Sequence, residues 1–177
     1  WIALHSGMAA GAHAVLIPEI PFDLGPVAAT IQQREERGAK FSIVVVAEGA
    51  TPLDGEVSTV GKAVGQAEQL GGIGAKVAAG LHELTGKETR TVVLGHLLRG
   101  GTPTSIDRIL GLRFGAAAIR ALETGHNGVM VSLDPPHVTY VPLVGATHRM
   151  KSVPLDGDTV VTARDLGINF GDRMPLP

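Results

Sequence analysis

Three side chains with complementary chemistry stand just beyond two apolar runs. Glu48 follows Phe41 to Ala47 (FSIVVVA), while His96 and Arg99 follow Thr91 to Leu94 in the stretch Gly95-His96-Leu97-Leu98-Arg99-Gly100-Gly101-Thr102-Pro103. A carboxylate accepts hydrogen bonds from hydroxyls, a guanidinium grips a phosphate through two charged bonds, and an imidazole does either. If the two runs are neighbouring parallel strands, these groups converge outside the strands' carboxyl ends, where open α/β sheets bind ligands. Such a set suits a phosphorylated polyol. Gly100-Gly101 lets the backbone approach a ligand closely, and a helix starting at Thr102-Pro103 adds a dipole that favours an anion. Taken singly, each feature has a plainer reading. Gly-Gly before Thr-Pro is commonly a turn into a helix, and a carboxylate at a strand end commonly caps a turn.

The elements that must place these residues alternate between strand and helix. Trp1, Leu4 and Met8 fall at helical spacing with no capping residue ahead of them, which points to a segment upstream of residue 1. Ala14 to Ile17 is a short apolar run ended by Pro18, Asp23 to Gly38 carries helical spacing with Val27 and Ile31 inward, and Phe41 to Ala47 is a buried strand. This is a βαβ unit, expected to be right-handed, with Asp23 as N-cap and Gly38 as the terminating glycine. After a glycine-spotted stretch over 51–74, a helix over 74–85 sets Val77, Leu81 and Leu84 on one face, Gly86 ends it, and Thr91 to Leu94 reads as a strand. That makes a second crossover. Thr102 as N-cap and Pro103 at the first helical position predict a helix over 103–123. Residues 128–133 and 137–143 read as two strands about Asp134-Pro135-Pro136. The expected class is α/β: a three-layer α/β/α arrangement with a mainly parallel, Rossmann-like sheet.

Composition excludes several partners. The 177 residues carry 15 Lys and Arg against 17 Asp and Glu, a net charge of -2, so no basic surface for nucleic acid is expected. The apolar runs, such as Ile43 to Ala47, are strand-length, far short of the roughly 20 residues that span a bilayer. Absence of cysteine removes thiolate metal sites and fits a cytoplasmic chain. His5, His13, His82, His126, His137 and His148 lack metal-ligand spacing, so no metal site is expected. Asp54 and Glu56 flank Gly55 in a solvent loop, Asp107 and Arg108 pair locally in a first helical turn, and Arg90 lies in a polar, solvated loop.

Lys87-Glu88-Thr89-Arg90, followed by VVLGHLLRGGTP over 92–103 and by Asp107-Arg108-Ile109-Leu110, resembles the phosphofructokinase family, bacterial 6-phosphofructokinases in particular. The resemblance runs from Trp1-Ile2-Ala3-Leu4 through Leu16-Ile17-Pro18-Glu19 and Val46-Ala47-Glu48-Gly49 to about Gly145. It implies that Glu48 holds hydroxyls of the fructose ring and that His96 and Arg99 bind fructose 6-phosphate. It also gives Arg90 a role the loop reading did not, reaching the 6-phosphate across a subunit interface of a homo-oligomer, typically a tetramer. The implied reaction is glycolytic phosphorylation of fructose 6-phosphate to fructose 1,6-bisphosphate by ATP with Mg2+; pyrophosphate as donor, or a non-catalytic sugar-phosphate-binding α/β module, are the alternatives.

The resemblance also implies what these residues lack. The donor-phosphate loops, the Thr-Ile-Asp-Asn-Asp motif with its catalytic base, and the magnesium site belong to the family's amino-terminal half. The chain is therefore expected to be a carboxy-terminal portion, inactive alone, with no catalytic or metal-binding residue of its own. Its expected division is a sugar-phosphate-binding domain over 1–100, a segment over 101–150 that returns to the donor domain, and a C-terminal tail over 151–177. Separated from that domain, 102–145 should expose apolar surface. Trp1 to Gly7 resembles the actinobacterial, mixed-donor branch, with ATP favoured. Glu19 matches a position near the effector site of some members, while Arg37-Gly38-Ala39-Lys40 keeps only part of that site's basic set.

Overall fold

A computed structural model describes residues 1–55, 59–61, 69–70, 72–148 and 151–175, so Glu56 lies outside the described residues. The chain divides into two compact units, one built from Trp1–Val93 and Ser152–Pro177, the other from Leu94–Lys151.

The first unit is organised by a parallel pair, β1 (Ala14–Leu16) and β2 (Val44–Val46), in the register Ala14↔Val44, Val15↔Val45 and Leu16↔Val46. Between them runs helix α2 (Leu24–Glu36). The Asp23 carboxylate accepts the Gly25 N–H at 2.9 Å, which satisfies one of the helix's orphan donors. At the other end Gly38, at φ +88°, lets its own N–H reach the Glu35 carbonyl (2.7 Å) and the Ala39 N–H reach the Arg34 carbonyl (3.0 Å). Those two bonds are the Schellman closure. A small antiparallel pair, β3 (Thr59–Gly61) and β4 (Gln69–Leu70), precedes α3 (Ile73–Thr85), which ends at the left-handed Gly86.

Side-chain alternation along the two strands separates two cores. Val15 and Val45 face a cluster with Leu4 of α1 (Ile2–Ala9) and Phe170, joined by Val160 and Ala163 of the later helix Asp158–Asp165. Ala14, Leu16, Val44 and Val46 face Val27, Ala28, Ile73, Val77 and Leu81 of α2 and α3. Helices thus cover both faces of the sheet, and the expected three layers are present. The packing is tightest at Gly171, at φ +79°, where a Cβ would lie 2.6 Å from Phe22 Cβ, and at Gly7, where one would lie 2.5 Å from Val15 Cγ2.

Residues 152–175 take full part in this unit. Val153, Val160, Ala163, Ile168 and Phe170 are buried. Asn169 extends the sheet beside β1: its carbonyl accepts from Val15 N (2.8 Å) and its N–H donates to the His13 carbonyl (3.0 Å). Its buried amide donates to Thr30 Oγ1 (2.9 Å) and the Arg173 carbonyl (3.0 Å) and accepts from Gly171 N (2.7 Å). Asp172 takes two bonds from Arg164, at 3.1 and 2.6 Å, and the guanidinium lies 4.8 Å from the Phe170 ring centre.

The second unit holds a 3-10 turn (Gly95–Arg99), helix α4 (Ser105–Glu123), the antiparallel hairpin β5 (Val129–Asp134) and β6 (His137–Pro142), and the short α5 (Leu143–Thr147); α6 is the Asp158–Asp165 helix of the first unit. Tyr140 Oη donates to the Ala117 carbonyl at 2.9 Å, and Arg113 donates to the Pro136 carbonyl at 2.6 Å, tying α4 to the hairpin. The expected hairpin about Pro135-Pro136 is present.

Four expectations are corrected. Thr91 to Leu94 forms no strand and the second crossover is absent: a strand exists only by pairing, and here Val92 and Val93 stand 77% and 83% exposed. The strand expected over 41–47 is confined to Val44–Val46, because β1 offers only three partners and Phe41 stays exposed. Helix α4 begins after Thr104 rather than Thr102. Thr104 and Asp107 satisfy each other's backbone N–H groups, at 3.3 and 2.8 Å, a reciprocal box that the Thr102-Pro103 start lacks a carboxylate to form. Asp107 therefore pairs with Thr104 and not with Arg108; its hydrogen bonds hold the carboxyl below its ordinary pKa.

Burial raises the Asp172 pKa, but the hydrogen bonds and charge of Arg164 outweigh it, so the net shift is downward. A carboxyl depressed in the folded state adds stability above its unfolded pKa, about 4, and loses it as pH falls through the lower folded value. Asp172→Asn should therefore be less stable than the parent at pH 7, with the gap closing below about pH 4. Urea melts at both pH values test this, and a gap independent of pH would contradict it.

Candidate functional site

Glu48 and Arg90 belong to the first unit, His96 and Arg99 to the second. Glu48 sits where the β2 chain leaves the sheet, in a turn closed by the Ala50 N–H on the Ala47 carbonyl (3.0 Å). Its side chain is exposed, outside the carboxyl end of a parallel strand as expected. The strand pairing that was to set His96 beside Glu48 is the one that does not form.

His96 and Arg99 are brought together by the 3-10 turn that carries them. At three residues per turn, side chains at i and i+3 eclipse. Imidazole and guanidinium therefore leave the same side, and among the described residues neither has a hydrogen-bond or ion-pair partner. Gly95 at φ +49° opens the turn and Gly101 at φ +111° follows it, a conformation L side chains avoid. Leu97 N–H to Leu94 C=O (3.0 Å) and Gly100 N–H to Leu97 C=O (3.1 Å) close it. The product is a small cationic platform with two open donors, chemistry suited to a phosphate or a polyol hydroxyl.

Arg90 lies on a strap that doubles back along α3. The His82 Nδ1–H donates to the Lys87 carbonyl (2.6 Å), the Lys87 ammonium pairs with Glu35 of α2, and the Thr89 hydroxyl donates to the Ala78 carbonyl (3.1 Å). Thr91 then reaches the Gly74 turn at the start of α3. Outward from the strap, Arg90 Nε and one terminal nitrogen both lie 2.9 Å from Glu88 Oε1. The sequence reading named Glu88 and Thr89 as part of the Lys87 to Arg90 stretch but gave neither a role; their place on either side of the backbone becomes visible only once the strap is laid against a helix.

Glu19 is part of the first unit's packing: its Oε1 accepts the Val153 N–H at 2.8 Å. Two open clefts, of about 320 and 430 Å³, lie elsewhere, the first around Phe22, Asp23 and Lys76, the second around Arg113, Arg120 and His137; none of the four expected ligand residues lines either. Among the described residues no three His, Asp or Glu side chains come together to hold a metal, and no helix is long and apolar enough to cross a membrane.

A family model described as Phosphofructokinase matches residues 1–122. The chain is 47% identical over 174 residues to the ATP-dependent 6-phosphofructokinase of Chloroflexus aurantiacus, covering 98% of this chain and 48% of that protein. It is 47% identical over 156 residues to ATP-dependent 6-phosphofructokinase 3 of Streptomyces coelicolor, covering 87% of this chain and 46% of that one. The chain thus spans about half the length of the curated relatives it matches. The crystal structure of a pyrophosphate-dependent phosphofructokinase from Marinobacter aquaeolei superposes with a TM-score of 0.64 at 19% identity, over 93% of this chain and 42% of that one, a likeness of fold.

The glycine at 101 provides a direct check on the platform. Gly101→Ala has to strain or open the turn, at a cost of roughly 1–3 kcal/mol. Chemical denaturation measures it, and an unchanged midpoint would show that the positive φ is not required.

Proposed function

The chain belongs to the phosphofructokinase family, and from that premise we propose that it supplies the sugar-phosphate-binding, carboxy-terminal portion of a cytoplasmic, glycolytic 6-phosphofructokinase. The reaction is transfer of the terminal phosphoryl group of ATP to the 1-hydroxyl of fructose 6-phosphate. The observation that carries this reading is the pairing of His96 with Arg99 on one side of a glycine-bracketed turn, in a chain 47% identical to proteins named for that reaction.

In this reading Arg99 and His96 bind the sugar phosphate, Glu48 accepts from ring hydroxyls, and Arg90 reaches the 6-phosphate bound by a neighbouring subunit of a homotetramer. The preformed turn fixes the backbone beneath the imidazole and the guanidinium, so only side-chain freedom is lost on binding. Residues 1–100, with the 152–175 segment whose side chains share their core, then form the sugar-phosphate domain, and 101–150 pack with the donor domain. The donor cradle, the catalytic base and Mg2+ are contributed by the half of the relatives' length that this chain does not cover. Support for the packing of 101–150 comes from α4, where Ile106, Ile109, Leu112, Ile119 and Leu122 are 57% to 74% exposed while Ala117 and Ala121 are buried. Large apolar side chains left exposed in a group on one helix mark a surface meant to be covered.

Relatives at 47% identity are named for ATP, which favours ATP over pyrophosphate. Assaying the full-length enzyme with fructose 6-phosphate and Mg2+, with each donor in turn, tests this. Turnover with ATP is expected; turnover with pyrophosphate alone would reverse the donor, and none with either, in a folded oligomer, would leave a binding module. In that enzyme Arg99→Ala should weaken sugar-phosphate binding by roughly 1.5–3 kcal/mol, about 10- to 150-fold. Unchanged affinity would remove Arg99 from the site.

A further inference from the structure

We propose that Thr89 is the positioning residue for Arg90, an inference that rests on the reading of Arg90 as a phosphate ligand. Along the strap, successive side chains fall on opposite sides. Thr89 turns inward, its hydroxyl donating to the Ala78 carbonyl of α3 at 3.1 Å, while Glu88 and Arg90 turn outward and meet each other at 2.9 Å. Both outward side chains are largely exposed, at 76% and 83%. Nothing packs the guanidinium in place, and no sheet ladder holds the backbone that carries it. Its direction is therefore set by the backbone at Thr89 and by Glu88.

The strap is fastened at two levels. Lys87, through His82 and Glu35, anchors its start, with Thr85 Oγ1 accepting the Lys87 N–H at 3.2 Å. Thr89 is the last fastening before Arg90, bonded to a carbonyl that lies well back along α3, and it decides which way residue 90 leaves the strap. Without that bond the strap between Lys87 and Thr91, its next point of approach to α3, is free to turn, and a long arginine side chain amplifies a small backbone rotation. Ordering then has to be supplied when the phosphate binds, which weakens binding without touching the transfer step. Glu88 narrows the guanidinium further by holding its Nε edge, leaving the other edge to an incoming anion.

In the full-length enzyme, Thr89→Val keeps the shape and removes the hydroxyl. The expected result is a rise of about three- to ten-fold in the KM for fructose 6-phosphate with kcat unchanged. Thr89→Ser, which keeps the donor, should restore the parent KM. Arg90→Ala, measured in parallel, should raise KM more than Thr89→Val does. If Arg90→Ala raises KM and Thr89→Val does not, the positioning role is overturned while the Arg90 reading stands. Should Thr89→Ser fail as badly as Thr89→Val, the methyl group and not the bond is at work, which also overturns it. A KM indifferent to Arg90→Ala removes the phosphate role of Arg90 and the proposal with it.

Discussion

The first unit is closed by one buried amide. Asn169 pairs its backbone with β1 and spends its side chain on Thr30 of α2, on the Arg173 carbonyl and on the Gly171 N–H. An amide buried with both its donor and its acceptor engaged costs little, whereas the same group left unpaired would be expensive. That asymmetry fixes how the carboxy-terminal residues dock. With Asn169 in register, Phe170 and Ile168 fall into the core shared with Leu4 and Val15, and Arg164 can cover the Phe170 ring while pairing with Asp172. The sheet then has partners on both sides of β1, and both helical layers have something to rest on.

From that closed sheet the functional residues hang at different removes. Glu48 leaves β2 directly, one turn beyond the core. Arg90 depends on a strap fastened by side chains to α2 and α3, a weaker form of support than a strand ladder. His96 and Arg99 depend on a local turn whose shape is set by glycines flanking them. Precision is thus spread over three kinds of scaffold, and each answers to a different type of substitution.

Local signals were legible in the sequence. The Asp23 cap, the glycine at 38 and the paired apolar runs at 14–17 and 41–47 announce a βαβ unit because each is decided by residues within a few positions of itself. His96 and Arg99 were legible by type and spacing for the same reason. Misreadings came where a distant partner decides. Thr91 to Leu94 has strand composition, but composition does not provide an edge to pair with. Val153, Val160, Ile168 and Phe170 lie among prolines, glycines and aspartates with no run to mark them, and only docking against α1 and β1 buries them. The start of α4 was read at Thr102 and lies at Thr104. The carboxylate three residues beyond Thr104 decided it, a spacing already present in the sequence.

Because the first unit is assembled from residues on both sides of 94–151, its order of synthesis differs from its order in space. A ribosome releases α1, β1, α2 and β2 early, then the whole second unit, and only afterwards the residue that pairs with the outer side of β1. Throughout that interval β1 presents an unpaired edge and the core around Val15 lacks Phe170. Nascent chains in that condition attract other strands. A substitution that merely slows elongation across α4 and the hairpin would lengthen the exposure without altering a single contact in the finished molecule.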